Sequence, residues 1–265
     1  MNKSNEKSRD LSVYPVKIDE SNMDIVDKFP LLPIPFFMVI LGRVKAGKSN
    51  LLNNLTLSPR FYGNDFQVKI LISPTLHDPI NKNMVEHFDF VFDEYSEPLL
   101  NEIIEMIEND ENDNRYLLVL DDAITTTFKQ SKNGKVDAFS SLVTRYRHIT
   151  NQHSGKESRL SIILTLQYFK FLTPITRTMA MGLCICGELS DLELKKISES
   201  YDFFGGSSKR FLNLYRKCRK EPFDFCFLNV DSMQMRRNFD EVIYDKKDEM
   251  KRLNEEANDN KSNEN

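Results

Sequence analysis

The stretch FFMVILGRVKAGKSN, residues 36 to 50, decides the fold class of this chain. Its first part, Phe36–Leu41, is an apolar run with the length and composition of a strand that is buried on both faces. A glycine-rich turn follows at once, and the sequence predicts a helix from about Lys48 to Leu57. A buried strand that turns directly into a helix is the first unit of a parallel α/β sheet.

The turn itself, GRVKAGKS at residues 42 to 49, matches the pattern G-x-x-x-x-G-K-[ST]. Its glycines permit close backbone approach, so that successive N–H groups point into a concavity that holds phosphates, and the helix N-terminus adds its dipole. The Lys48 side chain reaches the β- and γ-phosphates in this pattern, and the Ser49 hydroxyl is a ligand of Mg²⁺. The sequence therefore predicts binding of ATP and Mg²⁺ by Gly42, Arg43, Val44, Lys45, Ala46, Gly47, Lys48, Ser49 and Asn50.

An acidic pair follows a second buried strand. The run Tyr116–Leu120 is apolar throughout and is followed by Asp121 and Asp122. At the end of a strand beside the phosphate loop, Asp121 would hold the metal, and Asp122 would orient or deprotonate the attacking water. Taken alone, the pair also fits a solvated turn after a strand, and it is the combination with the phosphate loop that favours catalysis.

A third candidate, Gln167, closes the apolar run Leu160–Leu166. A polar side chain there would lie beside the γ-phosphate, where it could position water or report hydrolysis. On spacing alone, a polar residue that merely ends a strand is an equally good interpretation.

The remaining pattern indicates one domain of the α/β class. Residues 31–245 are predicted to form an ATPase domain with a mostly parallel sheet covered on both faces. Residues 1–30 are predicted to be a flexible arm, and residues 246–265, almost all charged or Asn, a disordered tail or a frayed helix. Further strands are predicted at Val68–Ile72, Leu183–Cys186 and Phe223–Val230, and further helices at Pro98–Glu108 and Val136–Ile149. Another helix is predicted to be opened by a capping box of Ser190 and Glu193.

Charge and hydropathy narrow the possible functions. With 36 basic and 40 acidic residues the net charge is −4, so any contact with nucleic acid must come from local patches or from oligomerisation. The N-terminus is too polar for a secretory signal, and the longest apolar stretch, from Pro30 to Leu41, is shorter than the ~20 residues that span a bilayer. No membrane contact is expected, and the four cysteines are interpreted as buried, reduced thiols.

Several blocks together carry a family resemblance: the strand with GRVKAGKS, LLVLDD, Arg147-His148, SIILTLQYFKFLTPITR and FCFLNVDSMQMRRNFDEVI. From about Pro35 to Ile243 the chain resembles the poxvirus-type genome-packaging ATPases of large DNA viruses and virophages, within the FtsK–HerA superfamily. The resemblance implies a RecA-like P-loop NTPase of the ASCE type, a ring of subunits, and ATP-driven translocation of double-stranded DNA into a capsid. It also implies capsid or portal partners and a virion-associated or host-cytoplasmic location.

The same resemblance gives Gln167 the role of a sensor and implies an arginine that completes the site of a neighbouring subunit. Arg145, Arg147 and Arg177 are the candidates, and the sequence does not choose among them. The chain departs from the family at residues 151–159, which resemble an insertion, and at Val44 and Lys45, where small residues are common.

Two basic segments are candidates for DNA contact. One is the loop after Asp122, with Lys129, Lys132 and Lys135; the other is Lys209–Lys220, KRFLNLYRKCRK. Both also fit an ordinary solvated face. Two alternatives stay open at this stage: a small-molecule or nucleoside kinase that uses the same phosphate loop, and another DNA-handling ATPase. A nucleotide-gated scaffold without catalysis is a third, and Asp121, Asp122 and Gln167 argue against it.

Overall fold

A computed structural model describes residues 25–123, 137–156, 159–201 and 207–263 of the chain. In this part of the chain, one sheet contains nine strands, in the order β3-β2-β4-β5-β1-β6-β7-β8-β9. The strands are β1 Phe37–Leu41, β2 Val68–Ile72, β3 Phe90–Phe92, β4 Tyr116–Asp121, β5 Leu160–Leu166, β6 Gly182–Cys186, β7 Phe225–Asn229, β8 Gln234–Arg237 and β9 Glu241–Asp245.

The sheet has a parallel part and an antiparallel part. The strands from β3 to β6 in the spatial order are all parallel, whereas β7, β8 and β9 pair antiparallel at one edge. Strand β5 lies between β1 and β4, and its pairing places Leu166 beside Leu41 and Thr165 beside Asp121. The predicted α/β class with a mostly parallel sheet is confirmed.

The helices of the described residues connect and flank these strands. They are α1 Lys48–Leu57, α2 Lys82–His87, α3 Glu97–Glu108, α4 Ala138–Arg145, α5 Pro174–Met179, α6 Asp191–Ser200, α7 Ser208–Lys217 and α8 Lys246–Asn263. The Ser190 side chain accepts a hydrogen bond from the backbone of Glu193, which confirms the predicted capping box of α6. None of these helices is both long and apolar enough to cross a membrane.

The core follows the centre of the sheet. Every residue of β1, β4, β5 and β6 is buried, so both faces of these strands are covered. All four cysteines are buried and free, as predicted. Burial on both faces explains why these strands read as continuous apolar runs rather than as alternating patterns.

One predicted helix is shorter in the structure, and the C-terminal segment is helical, which is one of the two forms predicted for it. The helix predicted over Val136–Ile149 ends earlier: α4 stops at Arg145 and a 3₁₀ turn, Tyr146–His148, follows. The tail predicted as disordered or frayed carries helix α8, whose Glu249 lies 2.5 Å from the guanidinium of Arg210 in α7 and accepts a hydrogen bond from Tyr244. These contacts supply the ordering that the composition of the segment lacks.

Candidate nucleotide-binding site

The carboxyl ends of β1, β4 and β5 meet at one edge of the sheet. The backbone N–H of Gly42 donates to the carbonyl of Leu166 at 3.0 Å, which joins the start of the phosphate loop to the end of β5. A cleft of about 720 Å³ opens above this junction. It is lined by Arg43, Val44, Lys45, Ala46, Gly47, Lys48, Ser49, Asn50, Thr75, Asp78, Asn81, Asp121, Asp122, Gln167 and Phe223.

The backbone of the phosphate loop is bent to leave N–H groups open. Gly47 is the N-cap of α1 with φ of 93°, a left-handed conformation that glycine adopts without strain, and no side chain caps the helix there. A Cβ at Gly42 would lie 2.6 Å from the carbonyl oxygen of Cys186, so that position also requires glycine. An uncapped helix N-terminus behind a tight loop is a binding place for anions.

The side chain of Lys48 is already directed into this place. It is only 6% exposed, and its ammonium donates to the carbonyl of Gly42 at 2.8 Å and to that of Arg43 at 3.4 Å. The same nitrogen lies 3.6 Å from Oδ2 of Asp122. The lysine charge is therefore held between the loop and the acidic pair, where phosphate oxygens would lie.

The carboxylate of Asp121 is buried beside the same edge. It is 3% exposed and accepts hydrogen bonds from the hydroxyls of Thr165, at 2.7 Å, and Ser73, at 3.3 Å. Burial raises its pKa despite these hydrogen bonds and the nearby Lys48, because the charged form loses hydration. A cation next to this carboxylate would offset that cost.

The available donors fit magnesium. Asp121 and Ser49 offer a carboxylate and a hydroxyl oxygen, the hard ligands that Mg²⁺ prefers, and the ion usually completes its shell with phosphates and water. No cluster of three or more His, Cys, Asp or Glu suited to a metal occurs among the described residues. With Asp121 and Ser49 as its protein ligands, a magnesium ion at this edge would take the rest of its shell from nucleotide phosphates and water.

Asp122 has an unusual geometry for a residue at the end of a strand. Its φ is 47°, a region that non-glycine residues seldom adopt, and its N–H donates to the Thr165 hydroxyl at 2.9 Å. The amide nitrogen of Gln167 donates to Oδ2 of Asp122 at 3.2 Å, whereas Oδ1 is buried without a hydrogen-bond partner. The structure thus brings the two predicted polar residues into direct contact and leaves one carboxylate oxygen for a donor in the cleft.

A smaller, more apolar cavity of about 400 Å³ adjoins the phosphate cleft. Ala46, Gly47, Asn50 and Phe223 line both spaces. The other walls are Leu51, Asn54, Phe61, Cys186, Phe225, Asn238, Phe239 and Asp240. Three further aromatic rings and two amides surround a space suited to a flat, polar-edged ring such as a nucleobase.

The sequence analysis missed four residues that line the cleft, namely Phe223 and, after β2, Thr75, Asp78 and Asn81. It also missed Ser73, which is fully buried after β2 and donates to Asp121. Strand β2 is hydrogen-bonded to β4 in the sheet. A signal in the sequence could have found those directly after β2. Polar residues that follow a buried strand were identified as candidates at Asp121 and Gln167, and the same rule applies to the polar residues that follow Ile72. Their contacts are described below.

The candidate arginines do not line the cleft as the structure describes it. Arg147 donates to the Tyr146 hydroxyl at 3.0 Å, and Arg177 lies with its Cζ 4.5 Å from the ring centre of Phe169. Arg145 is exposed in the last turn of α4. A role of any of them in a neighbouring site stays a prediction.

Of the two basic segments predicted as candidates for DNA contact, the structure describes only one. Lys129, Lys132 and Lys135 lie outside the described residues. The other segment forms α7 and the turn after it, where Arg210 and Lys220 are paired with Glu249 and Glu241. Three further cations of this segment are exposed, namely Lys209, Arg216 and Lys217.

Neither a protein-family model nor a curated protein matches this sequence. Solved structures do match: the genome-packaging NTPase B204 of Sulfolobus turreted icosahedral virus 2 in complex with AMP is 17% identical, with a TM-score of 0.57 over 77% of this chain and 96% of that one. Its complex with ATP-gammaS is 16% identical, with a TM-score of 0.56 over the same shares. The DNA-packaging ATPase B204 of Sulfolobus turreted icosahedral virus is 18% identical, with a TM-score of 0.55 over 77% and 97% of the two chains. The chain therefore has the fold of a RecA-like P-loop ATPase.

Proposed function

We propose that this chain, which has the fold of the viral genome-packaging ATPases, is an ATP-hydrolysing motor that moves double-stranded DNA into a capsid. The observation that carries the proposal is the meeting of Lys48, Asp121, Asp122 and Gln167 in one cleft next to an uncapped helix N-terminus. The fold similarity to packaging ATPases supports the coupling to DNA.

Nucleotide binding would use both cavities. The open N–H groups of the loop and the Lys48 ammonium would hold the phosphates, and Lys48 would exchange its contacts with the Gly42 and Arg43 carbonyls for phosphate oxygens. The base would enter the apolar cavity, against Phe223 and Phe239. The separation of a polar cleft from an apolar cavity supports a nucleoside triphosphate rather than inorganic phosphate as the ligand.

Hydrolysis would be the task of the acidic pair. Bound magnesium would neutralise charge on the phosphates, with Asp121 and Ser49 as its protein ligands. Asp122 would take the proton of the attacking water, for which its unpartnered Oδ1 is available. Gln167, in contact with Asp122, would respond when that carboxylate changes partner.

A ring would complete each site with an arginine from the next subunit. The position of Arg147 favours action in a neighbouring site: its partner Tyr146 contacts Met181, which is hydrogen-bonded to Phe37 at the amino edge of the sheet. The length of β1, about 16 Å, separates that edge from the chain's own cleft. Arg145 and Arg177 remain alternatives for the same role.

Duplex DNA would contact α7 in the pore of such a ring. Lys209 and Arg216 are seven residues apart and so lie on one face of the helix, and both are exposed. Copies of this face around a pore would follow the phosphate backbone despite the net charge of −4, with little sequence preference. Capsid or portal proteins are the proposed further partners, in a virion-associated or host-cytoplasmic setting.

The test is ATP hydrolysis measured with and without duplex DNA over a range of salt concentrations, with native mass determined in the presence of an ATP analogue and DNA. We expect ring assembly and a DNA-stimulated rate whose stimulation falls steeply as salt rises. Hydrolysis that needs a small phosphate acceptor instead of DNA would favour a kinase.

A charge reversal on α7 sharpens this test. Lys209→Glu with Arg216→Glu should remove most of the stimulation while the DNA-independent rate stays near the parental value. Lys196→Glu, at an exposed position on α6, is the matched control and should keep the stimulation. Equal stimulation in all three proteins, or a lone subunit under every condition, would contradict the motor.

A further inference from the structure

A chain of hydrogen bonds borders the phosphate cleft on the side of β2. The amide nitrogen of Asn81 donates to the carbonyl of Thr75 at 3.0 Å and to its hydroxyl at 3.1 Å. The Thr75 hydroxyl lies 3.0 Å from that of Ser73, and Ser73 donates to the Asp121 carboxylate. Asn81 is therefore connected through two hydroxyls to the proposed metal ligand.

The other end of the Asn81 side chain has no partner. Asn81 is 1% exposed and lines the cleft, and its Oδ1 has no hydrogen-bond partner. The amide orientation is fixed by chemistry, because the Thr75 carbonyl can only accept and must therefore face the nitrogen. The oxygen is left for a donor that enters the cleft, since a buried amide oxygen without one is unfavourable.

The side-chain contacts of Asn81 are not those of an ordinary helix cap. Asn81 is the N-cap of α2, a position where asparagine usually accepts a hydrogen bond from the first turn of the helix. No such side-chain hydrogen bond is made here. The side chain instead holds Thr75, and the residue is one of those that line the cleft.

We propose that Asn81 is a water-positioning residue of the hydrolysis site, an inference that rests on the ATPase function proposed above. Its Oδ1 accepts a hydrogen bond from the water that attacks the γ-phosphorus. The new P–O bond forms as the bond to the β-phosphate oxygen breaks and ADP leaves, and Asp122 receives the proton of the water. The amide nitrogen meanwhile holds the Thr75–Ser73 chain that orients Asp121. An amide cannot take the proton, so its contribution is orientation.

The experiment compares the parental protein with Asn81→Ala and Thr75→Val, and measures kcat and KM for ATP, equilibrium affinity for a non-hydrolysable ATP analogue, and melting temperature. We expect Asn81→Ala to lower kcat by about 10- to 100-fold while analogue affinity changes less than about 3-fold. Thr75→Val keeps the volume but breaks the hydroxyl chain, and it should lower kcat by a smaller factor. The matched control is Asn83→Ala, an exposed asparagine on the same helix, which should keep the parental kcat.

The outcomes separate the inference from the proposed function. Parental kcat in both Asn81→Ala and Thr75→Val, or parallel losses of kcat and analogue affinity, would overturn the role of Asn81. If Asn81→Ala proves unstable, Thr75→Val decides alone by the same criterion. A parental protein that binds the analogue but hydrolyses no ATP would instead remove the ATPase proposal itself.

Discussion

Two buried aspartates, one in the parallel part of the sheet and one at the start of the antiparallel part, have opposite surroundings. Asp224, before β7 in the antiparallel part, is 7% exposed and accepts hydrogen bonds from the N–H groups of Lys220 and Glu221, from Arg237 and from Asn238. Burial acts to raise its pKa, but these donors outweigh burial and lower the pKa to about 2. Asp121, 3% exposed at the cleft, has two hydroxyl donors and a raised pKa.

Burial alone therefore does not distinguish a structural acid from a functional one. The Asp224 carboxylate has a complete set of donors within the protein, including a guanidinium, and it stabilises the fold. The acidic pair at the cleft is incomplete: Asp121 has a raised pKa, and Asp122 keeps a buried oxygen without a partner. Carboxylates that lack part of their hydrogen-bond donors, at an edge that is otherwise well packed, indicate a ligand that supplies the missing positive charge.

The largest expected effect is that of replacing Asp122, the carboxylate with an unpartnered oxygen. Asp122→Asn removes the proposed base but keeps the shape of the side chain, so the rate of ATP hydrolysis should fall by about 100- to 10,000-fold. Nucleotide affinity should be retained, because the loop and Lys48 are unchanged. Single-turnover hydrolysis and equilibrium binding measure the two quantities. Asp93→Asn, at an exposed position, is the control, and hydrolysis by Asp122→Asn at the parental rate would refute the assignment.

The next largest effect is that of replacing Asp224, the carboxylate with a full set of hydrogen-bond donors. Asp224→Asn should lower the free energy of unfolding at neutral pH by about 1–3 kcal/mol, because the donors around it lose their charged acceptor. Its folded pKa lies below the unfolded value of about 3.9, so this stabilisation is present above that value and is lost as the pH falls toward 2. Urea unfolding of both proteins between pH 7 and pH 2 should show the difference shrink. A difference that does not change with pH would mean that the carboxylate charge contributes nothing.

The smallest effect concerns Phe223, which lies between Asp224 and the cleft in which Asp121 and Asp122 lie. Phe223 is next to Asp224, is 75% exposed, and lines both cavities at the cleft. If its ring packs on the base, Phe223→Ala should weaken ATP binding by about 2- to 10-fold and leave binding of inorganic tripolyphosphate unchanged. Leu192→Ala, also at an exposed apolar position, is the control and should change neither affinity. Equal weakening for both ligands would show that the ring acts on the loop instead.

The centre of the fold could be predicted because burial makes its sequence distinctive. The bounds of β2, β5 and α1 agree with the prediction, since each is a run of uniform character between turn residues. In the antiparallel part, β7 lies within the predicted Phe223–Val230, whereas β8 and β9 gave no such pattern. Strand β8, QMRR, is polar in sequence, and Arg236 is buried there with the carbonyls of Phe239 and Asp240 and the side chain of Gln234 as hydrogen-bond acceptors. Such hydrogen-bond acceptors are brought together by the tertiary structure, so a short stretch of sequence does not reveal them.

The candidate site was predictable to a similar extent. Gly42–Ser49, Asp121, Asp122 and Gln167 follow strands that the pattern identifies, and the structure brings them together in one cleft. Asn81 could not be found this way, because it comes nine residues after Ile72 and reaches the cleft through a loop and a 3₁₀ turn. The domain boundaries and the roles of the individual site residues stay predictions.

The position of β1 in the sheet has a mechanical consequence. This strand is hydrogen-bonded to β5 on one side and to β6 on the other, so the phosphate loop that continues it is anchored by two ladders at the centre of the sheet. A sideways shift of that anchor would break two ladders at once. Movement on nucleotide binding is therefore expected at the rim of the cleft, in the turn that carries Phe223 and in the segment from Ser73 to Asn81, rather than in the loop.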